Sequence, residues 1–101
     1  MRPRQELQAL LEELLGSKNV YYQPPESIKM KYPCIRYEKS DEPSRFADDT
    51  QYMRFRRYDV TVMTKDPDSD IPDKVANLPT AVFERGFRSD NIYHDVYRIY
   101  F

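Results

Sequence analysis

The chain has 101 residues, enough for one domain and one core, with 16 basic and 17 acidic residues and a formal net charge of -1. That balance excludes a long-range field drawing the whole domain onto nucleic acid or an anionic membrane. A single cysteine excludes an internal disulfide framework and a cysteine zinc cluster. The absence of an apolar leader or of a run of about 18 apolar residues leaves secretion and membrane spanning unsupported, so a cytoplasm is the expected compartment. Nine tyrosines suggest a thin, tyrosine-rich core in which each ring is buried and each hydroxyl stays wet.

From Pro3 to Leu15, Leu7, Leu10, Leu11, Leu14 and Leu15 make the i, i+3, i+4, i+7, i+8 stripe of an amphipathic helix, and Gly16 stops it. NVYYQ (19–23) reads as a short strand ended by Pro24 and Pro25. After ESIKMKYP, CIRYEK (34–39) alternates apolar Ile35 and Tyr37 with Arg36 and Glu38, which predicts a strand with one buried face. SDEPSRFADDTQ (40–51) has no period and reads as a polar loop of about twelve residues, a length at which function is enriched.

YMRFRRYDVTVMT (52–64) predicts the central strand, with Tyr58, Val60 and Val62 on one face and Arg57, Asp59 and Thr61 on the other. KDPDSDIPDKVANL opens a second helix, with Asp70 as its N-cap, Pro72 in the first turn, Asp73 complementing the dipole and Pro79 limiting it to about two turns. AVFERGFR (81–88) and NIYHDVYRIYF (91–101) are two strands joined at Ser89, Asp90 and Asn91. The expected fold is α+β, in the order helix, three strands, helix, two strands. It has a single antiparallel sheet of about five strands with both helices packed on one face.

The chemistry-bearing residues form no convergent set. His94 and Asp95 are neighbours on a strand, so their side chains point to opposite faces and cannot pair; His94 is expected to be a polar cross-strand partner rather than a base. Cys34 follows Pro33 with no cationic helper and reads as a small buried thiol. Asp66, Asp68 and Asp70 have the spacing that opens a calcium loop, yet Ile71 stands where a glycine is required and Asn77 where a glutamate is required. No catalytic residue, metal site or cofactor is therefore expected. Two glycines outside any phosphate-binding pattern leave a nucleotide site without basis. Arg54, Arg56 and Arg57 beside Phe55 and Tyr58 have the composition of a protein interface, and the charged loop residues Arg45, Phe46, Asp48 and Asp49 are the second candidate patch.

Three stretches, YPCIRY (32–37), YDVTV (58–62) and FRSDNIYHDVYRIYF (87–101), together with the leading amphipathic helix and the charged loop, resemble the small tail terminator, or tail completion, proteins of long-tailed bacteriophages. The resemblance covers most of the chain, and its most specific part is the run Asp90, Asn91, Ile92, Tyr93 and His94 before a closing aromatic strand. It implies that residues 1–101 are a single non-enzymatic domain of the virion, forming a hexameric ring at the head-proximal end of the tail after assembly in the host cytoplasm. That ring would cap the tail tube, end its elongation and offer a surface for head joining. The implied partners are other copies of the chain, the tube protein and a head-tail connector or stopper, with no membrane and no sequence-specific nucleic acid. Two alternatives remain at this point: a connector of the stopper type, and a small nucleic-acid-binding regulator using Arg54, Arg56 and Arg57.

Overall fold

The computed structural model describes residues 3–24, 29–40 and 56–101. Its elements follow the expected order: α1 (Arg4–Leu15), β1 (Val20–Tyr22), β2 (Cys34–Lys39), β3 (Arg57–Thr64), α2 (Ile71–Ala76), β4 (Val82–Ser89) and β5 (Ile92–Tyr100). The five strands form one sheet in the order β1-β2-β3-β5-β4, which makes β3 central.

The leucine period does in α1 what it predicts. Leu7 and Leu11 are fully buried, while Leu10, Leu14 and Leu15 pack at the margin of the core. Gly16 ends the helix at φ 81°, where a side chain is strained, and its N–H donates to Glu12 O at 2.9 Å. The helix lies on one face of the sheet, against Val20, Ile35, Tyr37, Tyr58, Val60, Val62, Tyr97 and Ile99, together with Ile71 and Val75 of α2.

The expectation of an all-antiparallel sheet is corrected: β1 pairs with β2 in parallel, Val20 opposite Ile35 and Tyr22 opposite Tyr37. The two strands are joined by the crossover that a parallel pair needs and a tight hairpin cannot supply, and residues 25–28 of that connection lie outside the described residues. The pairs β2–β3, β3–β5 and β5–β4 are antiparallel. Pro24 follows β1 as expected, and Pro25 lies outside the described residues.

Helix α2 differs from its predicted form at both ends. Asp70 occupies the N-cap position but makes no side-chain cap; Ser69 Oγ accepts from Ile71 N–H at 3.3 Å instead, and Asp70 pairs with Lys74 at 3.6 Å. The helix closes at Ala76, with Asn77 as its C-cap, before Pro79 is reached. The last hairpin turns on Asp90 and Asn91, at φ 53° and 63°. Positive φ at both central residues is the two-residue turn that matches strand twist, and Asp and Asn tolerate it better than most residues. At the other end of β5, Thr80 takes φ 69°, unfavourable for a β-branched residue. Its hydroxyl compensates by donating to Tyr100 O at 2.6 Å and accepting from Tyr100 N–H at 3.1 Å.

Candidate interface

Strand alternation divides the sheet into a helix-covered face and one that no helix among the described residues covers, the uncovered face. Arg36, Glu38, Arg57, Asp59, His94 and Arg98 all project from the uncovered face. One corner of it holds a small apolar cluster, Cys34, Met63 and Ile92 with Tyr21, Met30 and Tyr32. Burial there pushes the Cys34 thiol up to about 11, so it is a neutral, unreactive packing group. Beyond that corner the face is a hollow of about 490 Å³ lined by charges of both signs.

The centre of the hollow is an ion-pair network spread over three strands. Arg57 Nη2 lies 3.5 Å from Asp59 and 3.3 Å from Glu84, and Arg98 Nη1 lies 3.6 Å from the same Glu84 oxygen. Glu84 sits at a bulge in β4, where the register shifts between Phe83 and Arg85 and turns the carboxylate inward to meet both arginines. With side chains only 13% to 31% exposed, these groups are screened less than surface pairs. Arg98 Nε is buried and has no hydrogen-bond partner among the described residues.

His94 occupies this face and Asp95 the other, as the alternation requires. The His94 ring stacks on Phe87 with centroids 4.6 Å apart and planes 9° apart, and its Nδ1 lies 3.0 Å from Ile92 O. Its cross-strand neighbour is thus an aromatic ring rather than another polar group. Asp95 lies beside Gly86, where an added Cβ would come within 3.0 Å of Oδ1. Burial raises the Asp95 carboxyl above its usual range; His94 opposes the shift and Asp73 reinforces it.

Of the predicted interface residues, Arg45, Phe46, Asp48, Asp49 and Arg54 lie outside the described residues. Arg56 is half-buried and continues the β3 ladder through its backbone, donating to Phe101 O at 3.2 Å and accepting from Phe101 N–H at 2.9 Å. Arg57 is drawn into the ion-pair network, so these two arginines do not share one exposed patch. The Asp66, Asp68 and Asp70 stretch is a turn in which Asp66 Oδ1 accepts from Asp68 N–H at 2.9 Å. Among the described residues, no group of three or more His, Cys, Asp or Glu side chains could hold a metal ion, and no helix is long and apolar enough to cross a membrane.

The residue pattern alone did not single out β4. All eight of its residues are exposed, and Val82, Phe83 and Phe87 are the exposed large hydrophobics among the described residues. One signal was present: adjacent Val82 and Phe83 put apolar side chains on both faces of a strand that is half polar. No protein-family model, curated protein or solved structure matches this chain.

Proposed function

We propose that the protein is a non-enzymatic structural component of a phage virion, a tail terminator whose hexameric ring caps the tail tube, ends elongation and offers the surface for head joining. The observation that supports this reading most is the spatial grouping of the three stretches that carry the resemblance. Residues 32–37, 58–62 and 87–101 run through or into β2, β3, β4 and β5, which are neighbours in the sheet. Together they build most of a broad uncovered face on which arginines alternate with Glu38, Asp59 and Glu84. Interleaved charge of both signs suits contacts between proteins, whereas phosphate backbones select an unbalanced basic stripe.

A ring needs two different complementary patches on each subunit, and mixed-charge contacts that form on demand let it close on a tube. The test is the double variant Arg54→Glu, Arg56→Glu, measured by sedimentation and by binding to purified tail tubes. The expected outcome is a folded protein with reduced ring formation and tube capping, partly mimicked in the parent by high salt. A folded variant that caps tubes like the parent removes the arginine cluster from the interface. Failure of the parent itself to bind any tube removes the terminator reading.

A further inference from the structure

The two edges of the sheet are finished differently. At the β1 edge the carbonyl of Val20 accepts from Gln8 Nε2 of α1 at 3.0 Å. Along β4, at the opposite edge, no side chain among the described residues hydrogen-bonds to the outer backbone. The orientation of that backbone follows from the ladder. Tyr100 directs both its N–H and its C=O to Thr80 Oγ1, on the β4 side. Alternation then turns the backbone of Arg98 and His94 toward their β4 partners Val82 and Phe87. Phe83 and Gly86, lying between those positions, direct their N–H and C=O groups to solvent.

The side chains of β4 read the same in both directions. Val82, Arg85 and Phe87 lie opposite Arg98, Val96 and His94 on the uncovered face, and Glu84 joins them there through its pairs with Arg57 and Arg98. Phe83 and Gly86 lie opposite Tyr97 and Asp95 on the helix-covered face. Because the bulge places Glu84 and Arg85 on one side, the order from Val82 to Phe87 is a palindrome: uncovered, covered, uncovered, uncovered, covered, uncovered.

We propose that β4 pairs antiparallel with β4 of a second copy of this chain, about a two-fold axis between Glu84 and Arg85. Phe83 then lies opposite Gly86, Val82 opposite Phe87 and Glu84 opposite Arg85, each twice. Phe83 and Gly86 are the residues with outward backbone groups, so they exchange N–H···O=C bonds across the axis. The Phe83 ring of each copy meets the partner's Gly86, which adds no side chain of its own, beside the Phe83 ring that already lies over that glycine within its own chain. Val82 and Phe87 form the closer non-hydrogen-bonded pair and cover each other's exposed surface. Opposite charges meet at Glu84 and Arg85. A slip of one residue would set covered-face positions against uncovered-face ones throughout. Self-pairing uses every element of the palindrome, which an unrelated strand has no need of. This contact joins identical patches, so it is separate from ring closure and stands whether or not the protein caps a tube.

The test combines mass and register. The parent should sediment at no less than about twice its 12.2 kDa chain mass, the β4 pair being the smallest assembled species. Arg85→Glu, which sets glutamates against Glu84 on both sides of the axis, should leave the circular dichroism spectrum of the folded chain unchanged and weaken the dimer at least tenfold. Mixed Val82→Cys and Phe87→Cys chains should form a disulfide-linked dimer on oxidation, while either variant alone and the parent, whose Cys34 is buried, should not. A parent that stays monomeric at hundreds of micromolar overturns the proposal. So does cross-linking no greater in the mixture than in the single variants, or an unweakened dimer in Arg85→Glu.

Discussion

Tyr37 ties three elements together through one hydroxyl. Arg4 Nη1 donates to Tyr37 Oη at 2.9 Å, the hydroxyl donates to Gln8 Oε1, and Gln8 Nε2 reaches Val20 O. The Tyr37 ring is fully buried against Tyr22 and Tyr58 at centroid distances of 4.9 and 6.0 Å, and Arg4 lies over Tyr22 at 4.4 Å. Tyr37→Phe keeps the ring and strands its partners, so a denaturant titration should register a loss of about 1–2 kcal/mol. A loss near zero would mean that solvent satisfies Gln8 and Arg4 once the hydroxyl is gone. Asp95 gives a pH-dependent counterpart. Its folded-state pKa is raised above the ordinary 3.8, so its contribution is whole below that value and is lost as pH rises through the raised one. Asp95→Asn keeps a neutral group at every pH. The variant should therefore melt above the parent at pH 7, with the gap closing as pH falls toward 3.8. A gap independent of pH would assign the effect to packing instead.

At the level of elements, the sequence was most legible where structure is local. The leucine spacing of α1, Gly16 as its stop, the alternation in β2 and β3, and Asp90 and Asn91 as a turn each depend on residues a few positions apart. All four stand in the structure with small shifts of boundary, except that residues 52–55 of the predicted central strand lie outside the described residues. The parallel direction of β1 was not legible, because it depends on where residues 23–33 carry the chain and not on any property of VYY. The exposure of β4 was hidden for the same reason: strand order is a non-local outcome, and an edge strand has the composition of an inner one until its neighbours are known. The site was less legible still. Arg57 was expected at an open interface, yet Glu84, on a strand two places away in the sheet, engages it. Helix α1 carries the clearest energetic test at this scale. Leu11 is fully buried in mid-helix, so Leu11→Ala should cost about 2–4 kcal/mol in a chemical melt. That is a large share of the total of about 5–10 kcal/mol for such a domain. An unchanged melt would mean that the leucine face is not packed as described.

Across the whole molecule, the two sides of the sheet divide the work. One face carries the core and both helices; the other carries charge, a hollow and little cover. Ring contacts of the proposed kind draw on that second face and on the charged residues between β2 and β3, and their strength should fall as salt screens them. A sedimentation series from about 50 mM to 1 M salt should reduce ring formation more steeply than the β4 pairing, which adds backbone bonds and apolar side chains to its Glu84–Arg85 pairs. Equal loss of both would mean that charge dominates the edge contact as well. The Gln8 bond to Val20 bears on how far such pairing can travel. A sheet with two bare borders has a valence of two and polymerises into fibrils, each added chain presenting a fresh template to the next. Here a helix side chain occupies the Val20 carbonyl at one border, so among the described residues the β4 border is the barer one, and pairing of the proposed kind would consume it and end the sheet at two copies.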